Sequence, residues 1–153
     1  MPLAEFNFGT LKFPWDDPRL ADFQDNVDRV NAIAQRSPGF IWMFDEVAME
    51  AAQHDPAGPF PDGNLVASTL SIWEDAASLW QFVHTTVHAR FLARGAEWFV
   101  DGDRSHLVVW EVPKGHRPGI AEAMDEWRAL QAEGDTISRF GGTGLKTRAE
   151  ARL

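Results

Sequence analysis

The sequence predicts an α+β domain of the ferredoxin-like split βαβ kind, a four-stranded antiparallel sheet with helices packed on one face. Three observations predict it. Stretches whose apolar residues alternate with period two are interleaved with stretches whose apolar residues recur every three or four positions. Clusters of Pro, Gly and Ser separate these stretches. The resulting order is strand, helix, strand, strand, helix, strand, helix, that of two interlocked βαβ halves.

The first strand is read over residues 3–9, where Leu3-Ala4-Glu5-Phe6-Asn7-Phe8-Gly9 alternates before Phe13-Pro14-Trp15-Asp16-Asp17-Pro18 breaks the pattern. From Arg19, the positions Leu20, Phe23, Val27, Val30 and Ile33 repeat at helical spacing until Ser37-Pro38-Gly39, giving an amphipathic helix of about five turns. Phe40 to Phe44 is a short apolar second strand. An irregular loop is expected over residues 54–64, which hold three prolines and two glycines. Residues 65–73 resume a strand, with Val66, Ser68, Leu70 and Ile72 on one face and Ala67, Thr69, Ser71 and Trp73 on the other. Such a mixed pattern suits a strand partly covered on both sides.

A second helix spans residues 75–85 with Leu79, Phe82 and Val83 inward, and a continuation over 87–99 carries Phe91, Leu92 and Trp98. Residues 106–112 form the fourth strand, closed by Pro113, Gly115 and Pro118, and residues 120–132 a third helix. The tail, residues 134–153, is weakly patterned and expected to be weakly structured. The whole chain, 1–153, is read as one domain. A sheet with helices on one face leaves the other bare, so a second copy meeting it sheet to sheet is the economical cover. That assembly would be a homodimeric α/β barrel.

The composition narrows the chemistry. Seven Trp and eleven Phe supply ample apolar surface for a core, while Cys and Tyr are absent, which removes thiol nucleophiles, thiolate-bound metals and phenolic acid–base groups. A net charge of −9, spread along the chain, repels phosphate backbones, so nucleic acid is not an expected partner. No apolar run approaches the ~20 residues that span a bilayer. No secretory leader is read, and a cytoplasmic location is expected.

Acid–base work falls to His and carboxylates. His88 is the candidate base, bracketed on its helix by Phe82, Val83, Phe91 and Leu92, with Glu97 or Glu74 to tune the imidazole. His84, four residues earlier, would share that face. A metal held by His84 and His88 needs a third ligand from Glu97, His106 or His116, but no Glu follows His84 and Thr85-Thr86 disfavour helix, so no metal is assigned. A heme on His88 is the alternative cofactor; the assignment is none. Trp42, Trp73 and Trp110 stand on three strands and would form a flat apolar wall if their faces agree, joined by Trp98. His116 sits in a rigid turn at the expected cavity mouth. Arg90 and Arg94 share a helix face suited to clamping a carboxylate. Each of these residues also has an ordinary reading, as core, interface or solvated surface.

The pattern Asp17-Pro18-Arg19-Leu20-Ala21-Asp22-Phe23, then Val30-Asn31-Ala32 and Arg36-Ser37-Pro38-Gly39-Phe40, resembles an uncharacterised bacterial family of the dimeric α/β-barrel superfamily, the superfamily of the antibiotic-biosynthesis monooxygenases. Ser71-Ile72-Trp73-Glu74, Phe82-Val83, His88, Glu97-Trp98-Phe99, Val109-Trp110 and Val112-Pro113-Lys114-Gly115-His116-Arg117-Pro118 extend the resemblance over residues 3–130. The resemblance implies a fold and a cavity, and among the superfamily's chemistries cofactor-independent oxygenation, heme enzymes, isomerases and plain ligand binding. It also implies an aromatic hydroxyl near His84, where this chain carries imidazole. The expectation is therefore a small-molecule enzyme for an apolar or aromatic metabolite, a monooxygenase among the options, against a non-catalytic ligand-binding dimer or a heme enzyme.

Overall fold

The computed structural model describes residues 1–60, 65–85, 89–90, 93–100 and 106–151. Its elements are β1 (Leu3–Thr10), a 3₁₀ turn (Pro18–Leu20), α1 (Ala21–Gln35), β2 (Phe40–Met43), α2 (Glu46–Gln53), β3 (Val66–Trp73) and α3 (Ala76–Thr85), followed by α4 (Gly95–Trp98), β4 (His106–Glu111), α5 (Ile120–Glu133), β5 (Arg139–Phe140) and α6 (Gly142–Glu150). The sheet runs β2-β3-β1-β4-β5 with every pairing antiparallel. The first four strands of that order, β2-β3-β1-β4, have the split βαβ arrangement that the element sequence predicts. The fifth strand was not expected.

The alternation in β1 decides what each face holds. Leu3, Glu5, Asn7 and Gly9 look one way; Ala4, Phe6 and Phe8 look the other. In register, Glu5 lies opposite Ser71 and Asn7 opposite Thr69, so β3 extends the same polar row. On the other face Phe6 meets Leu70 and Val108, and Ala4 meets Ile72 and Trp110.

Here the structure departs from the reading of helices on one face. The apolar face is buried by the chain itself: Met49 of α2, Phe60, and Ala123, Met124 and Leu130 of α5 pack onto Phe6, Phe8, Leu70 and Trp110 in one core. Phe60 stacks on Phe6 at 6.2 Å, and Trp127 sets its edge on Phe8 at 5.1 Å. With that face covered, sheet burial no longer supplies the reason for a sheet-to-sheet homodimer, which stays an expectation to be read from the mass in solution.

The opposite face carries α1, α3, α4 and α6. Asp17 caps the 3₁₀ turn ahead of α1 by accepting from the Arg19 N–H at 2.9 Å. The helix ends at Gln35, and Gly39, in the turn before β2, takes φ +83°, where a Cβ would overlap the Ser78 side chain. The tail corrects the expectation of weak structure. β5 pairs Phe140 with Val109, and Phe140, Leu145 and Ala149 are buried beside α3. Its local pattern is weak because a two-residue strand and a glycine-bearing helix draw their order from tertiary packing. α2 was read as no element; Asp45, whose side chain accepts from Ala48 N, caps it. Of the continuation over 87–99, residues 87–88 and 91–92 lie outside the described residues.

Candidate active site

Between the polar row of the sheet and helices α1, α3, α4 and α6 lies a cavity of about 460 Å³. That is a size suited to a small molecule. Its walls are aromatic. Trp73 stacks on Phe82 at 5.2 Å, and Phe23 of α1 meets Trp98 at 5.4 Å and the edge of Phe99 at 5.6 Å. Trp15, Trp80 and Leu145 continue the lining.

The sheet contributes the polar part. Glu5 is 7% exposed, and among the described residues every side-chain bond it makes is accepted from a neutral donor. Asn7 Nδ2 donates to its Oε1, while Ser71 Oγ donates to Oε2 at 3.0 Å and Thr69 Oγ1 to the same oxygen at 3.5 Å. These donors are themselves ordered: the Trp73 indole N–H donates to Ser71 Oγ at 2.9 Å, and Asn7 Nδ2 also reaches Thr69 Oγ1 at 2.7 Å. The Trp73 proton therefore turns the Ser71 hydroxyl toward Glu5. Burial pushes the Glu5 carboxyl up to about 7, against the lowering effect of Asn7, Ser71 and Thr69. A carboxyl that ionises near neutrality in an apolar cavity can both take and return a proton.

The expected site residues divide across the sheet. Trp73, Trp98 and His84 line the cavity. The His84 ring lies tilted against Trp80 with centroids 3.8 Å apart, and burial, then Lys146, lowers its pKa. Trp42 and Trp110 are on the far side, because Trp42 pairs with Ile72 and Trp110 with Ala4, whereas Trp73 pairs with Leu3. The wall of three tryptophans therefore does not form. Trp42 lies under the Arg117 guanidinium at 5.6 Å, and Trp110 is core. His116 Nε2 is held 2.8 Å from Glu122 on the first turn of α5, away from the cavity. Arg90 is exposed and absent from the lining.

Glu97 is not in the lining either. Arg94 Nε donates to it at 2.7 Å and holds its carboxyl below the usual range, and the same guanidinium reaches Asp22 at 3.2 Å, tying α4 to α1 on the surface. His88 lies outside the described residues. Sequence reasoning passed over Glu5, Asn7, Thr69 and Ser71. Strand alternation places these polar positions on one face, and the helices that cover that face make it a cavity floor.

Among the described residues no three His or carboxylate side chains gather as a metal site. A heme would need cationic partners for its propionates, and the described lining offers no Lys or Arg. The axial ligand of the heme alternative, His88, lies outside the described residues.

Fold and site together define an α+β protein with an aromatic internal cavity floored by a buried carboxyl. The chain belongs to the family described as Domain of unknown function (DUF3291), which it matches over residues 2–152. No curated protein matches it in sequence. Among solved structures it is similar to SnoaB, a cofactor-independent oxygenase from Streptomyces nogalater, with a TM-score of 0.48 and 13% identity, covering 76% of this chain and 98% of that one. The chemistry of this chain follows from its own residues.

Proposed function

We propose that the chain is a small-molecule enzyme acting on an apolar or aromatic metabolite held in this cavity, with Glu5 as the group that takes and returns a proton. The observation that carries this reading is the buried Glu5 carboxyl, pushed up to about 7, on the floor of an aromatic-walled cavity of about 460 Å³. No base is needed for core stability at such a position, and an apolar side chain would remove the burial cost.

The finer form of the reading is oxygenation without a cofactor. Glu5 would remove a proton from an acidic C–H, and the electron-rich substrate would reduce oxygen directly, so that a CH₂ group and O₂ give a C=O group and water. His88 keeps its part as a second acid–base group in this proposal. Glu97 becomes the residue that anchors Arg94 and α4. Non-catalytic binding of the same class of ligand is the alternative reading, and homodimerisation belongs with both.

Purified protein, Glu5→Gln and His88→Ala, each incubated in air with a panel of apolar metabolites, test this by oxygen uptake and product mass. Turnover by the wild type that falls about 10²-fold or more in Glu5→Gln supports the assignment, that being the size of a lost acid–base group. Turnover untouched in Glu5→Gln contradicts it, and binding without turnover leaves the non-catalytic reading.

A further inference from the structure

Glu5 is the one carboxyl on the described cavity lining, and its bonded neighbours Asn7, Thr69 and Ser71 are all uncharged. The other titratable group on that lining is His84, and Lys146 bears on His84. No Lys or Arg side chain lines the cavity among the described residues. Once ionised, the Glu5 carboxylate has hydrogen bonds and, among the described residues, no counter-ion. A carboxylate offers about four lone-pair directions. Asn7, Ser71 and Thr69 use three of them, and among the described residues Oε1 accepts from Asn7 alone.

A groove adjoining the cavity has the same sign. This groove, of about 580 Å³, shares Trp15, Val27, Asn31, Met43, Gln53 and Thr69 with the cavity. Its charged residues are Asp16, Asp28, Glu46 and Glu50, with His54 beside them and no Lys or Arg on the described lining. A carboxylate or phosphate ligand would move up a negative potential toward a second anion. A cation would move down it, and would end in a cavity lined by the aromatic side chains of Trp15, Phe23, Trp73 and Trp80, whose π-systems attract positive charge, while the Trp98 ring already carries the Arg94 guanidinium at 4.5 Å.

We infer that the ligand of this cavity is an apolar organic amine, bound as its ammonium with the Glu5 carboxylate as counter-ion and the aromatic walls around its hydrocarbon body. The inference rests on the reading of the cavity as a small-molecule site, and it names the ligand of that site. Proton transfer within the pair breaks an N–H bond and forms an O–H bond on Glu5. The products are a neutral amine and a carboxylic acid, with no charge left in the apolar cavity.

Four probes on one skeleton test it by calorimetry on the full chain near pH 7: 1-aminoindane, indane, 1-indanone and indane-1-carboxylate. The amine is expected to bind at least about tenfold more tightly than indane or 1-indanone, with indane-1-carboxylate weakest. In Glu5→Gln that preference should vanish while indane binds as before, which also shows that the variant keeps its cavity. An amine no tighter than 1-indanone, a preference that persists in Glu5→Gln, or tighter binding of the carboxylate overturns the inference. If no probe binds, indane included, the small-molecule reading itself falls along with the inference.

Discussion

Ser71 lies directly across the β1–β3 ladder from Glu5 and donates its hydroxyl hydrogen to Glu5 Oε2 at 3.0 Å. Ser71→Ala removes that donor and leaves the Trp73 indole N–H without its acceptor. A buried polar group stripped of its partner costs about 1–3 kcal/mol. The variant should therefore unfold at lower denaturant, and the Glu5 carboxyl should ionise at a higher pH than in the wild type. Thr69→Val breaks the longer 3.5 Å contact and should shift both readings less.

Stability should depend on pH through Glu5 with a definite sign. Below about 4.5 the carboxyl is protonated in both folded and unfolded chains and contributes nothing to the balance. Between that value and about 7 the unfolded chain ionises while the folded one keeps its proton, so stability falls as pH rises. The loss amounts to about 3 kcal/mol by neutral pH, at 1.36 kcal/mol for each unit. Denaturant midpoints measured across that window should slope downward in the wild type, and Glu5→Gln should flatten this part of the slope.

Gly39→Ala should destabilise by well over 1 kcal/mol, since φ +83° strains any L side chain and the new methyl would overlap the Ser78 side chain. Thermal unfolding reads the effect. Paired with Ser78→Gly, which opens the space but leaves the backbone strain, the loss should shrink without disappearing.

Trp15 Nε1 is buried and unpartnered among the described residues, and its ring contacts Phe23 at 5.9 Å and His54 at 5.5 Å. Trp15→Phe keeps an aromatic wall and deletes the unpaired N–H. The change should be neutral or stabilising in chemical denaturation, unlike the usual loss on truncating a Trp.

The strands and long helices were legible because each carries its own periodicity, as in β1, where alternation persists over the whole element. The short α2, β5 and α6 were not, since Phe140 and Leu145 owe their burial to α3 and β4, which are distant in sequence. For the site, the same alternation misled. Glu5 and Asn7 sit where a half-exposed strand would put solvent-facing residues, and only the helices folded over that face turn them into a cavity floor. Trp42 and Trp110 failed as cavity residues on parity alone: registers with Ile72 and Ala4 send them to the opposite face from Trp73.

The most direct test is a carbon-13 NMR titration of the side-chain carboxyls of the full chain, with the Glu5 resonance assigned by its loss in Glu5→Gln. The account predicts a midpoint near pH 7 for Glu5. A midpoint for Glu5 in the ordinary carboxylate range, near 4.5, would contradict it.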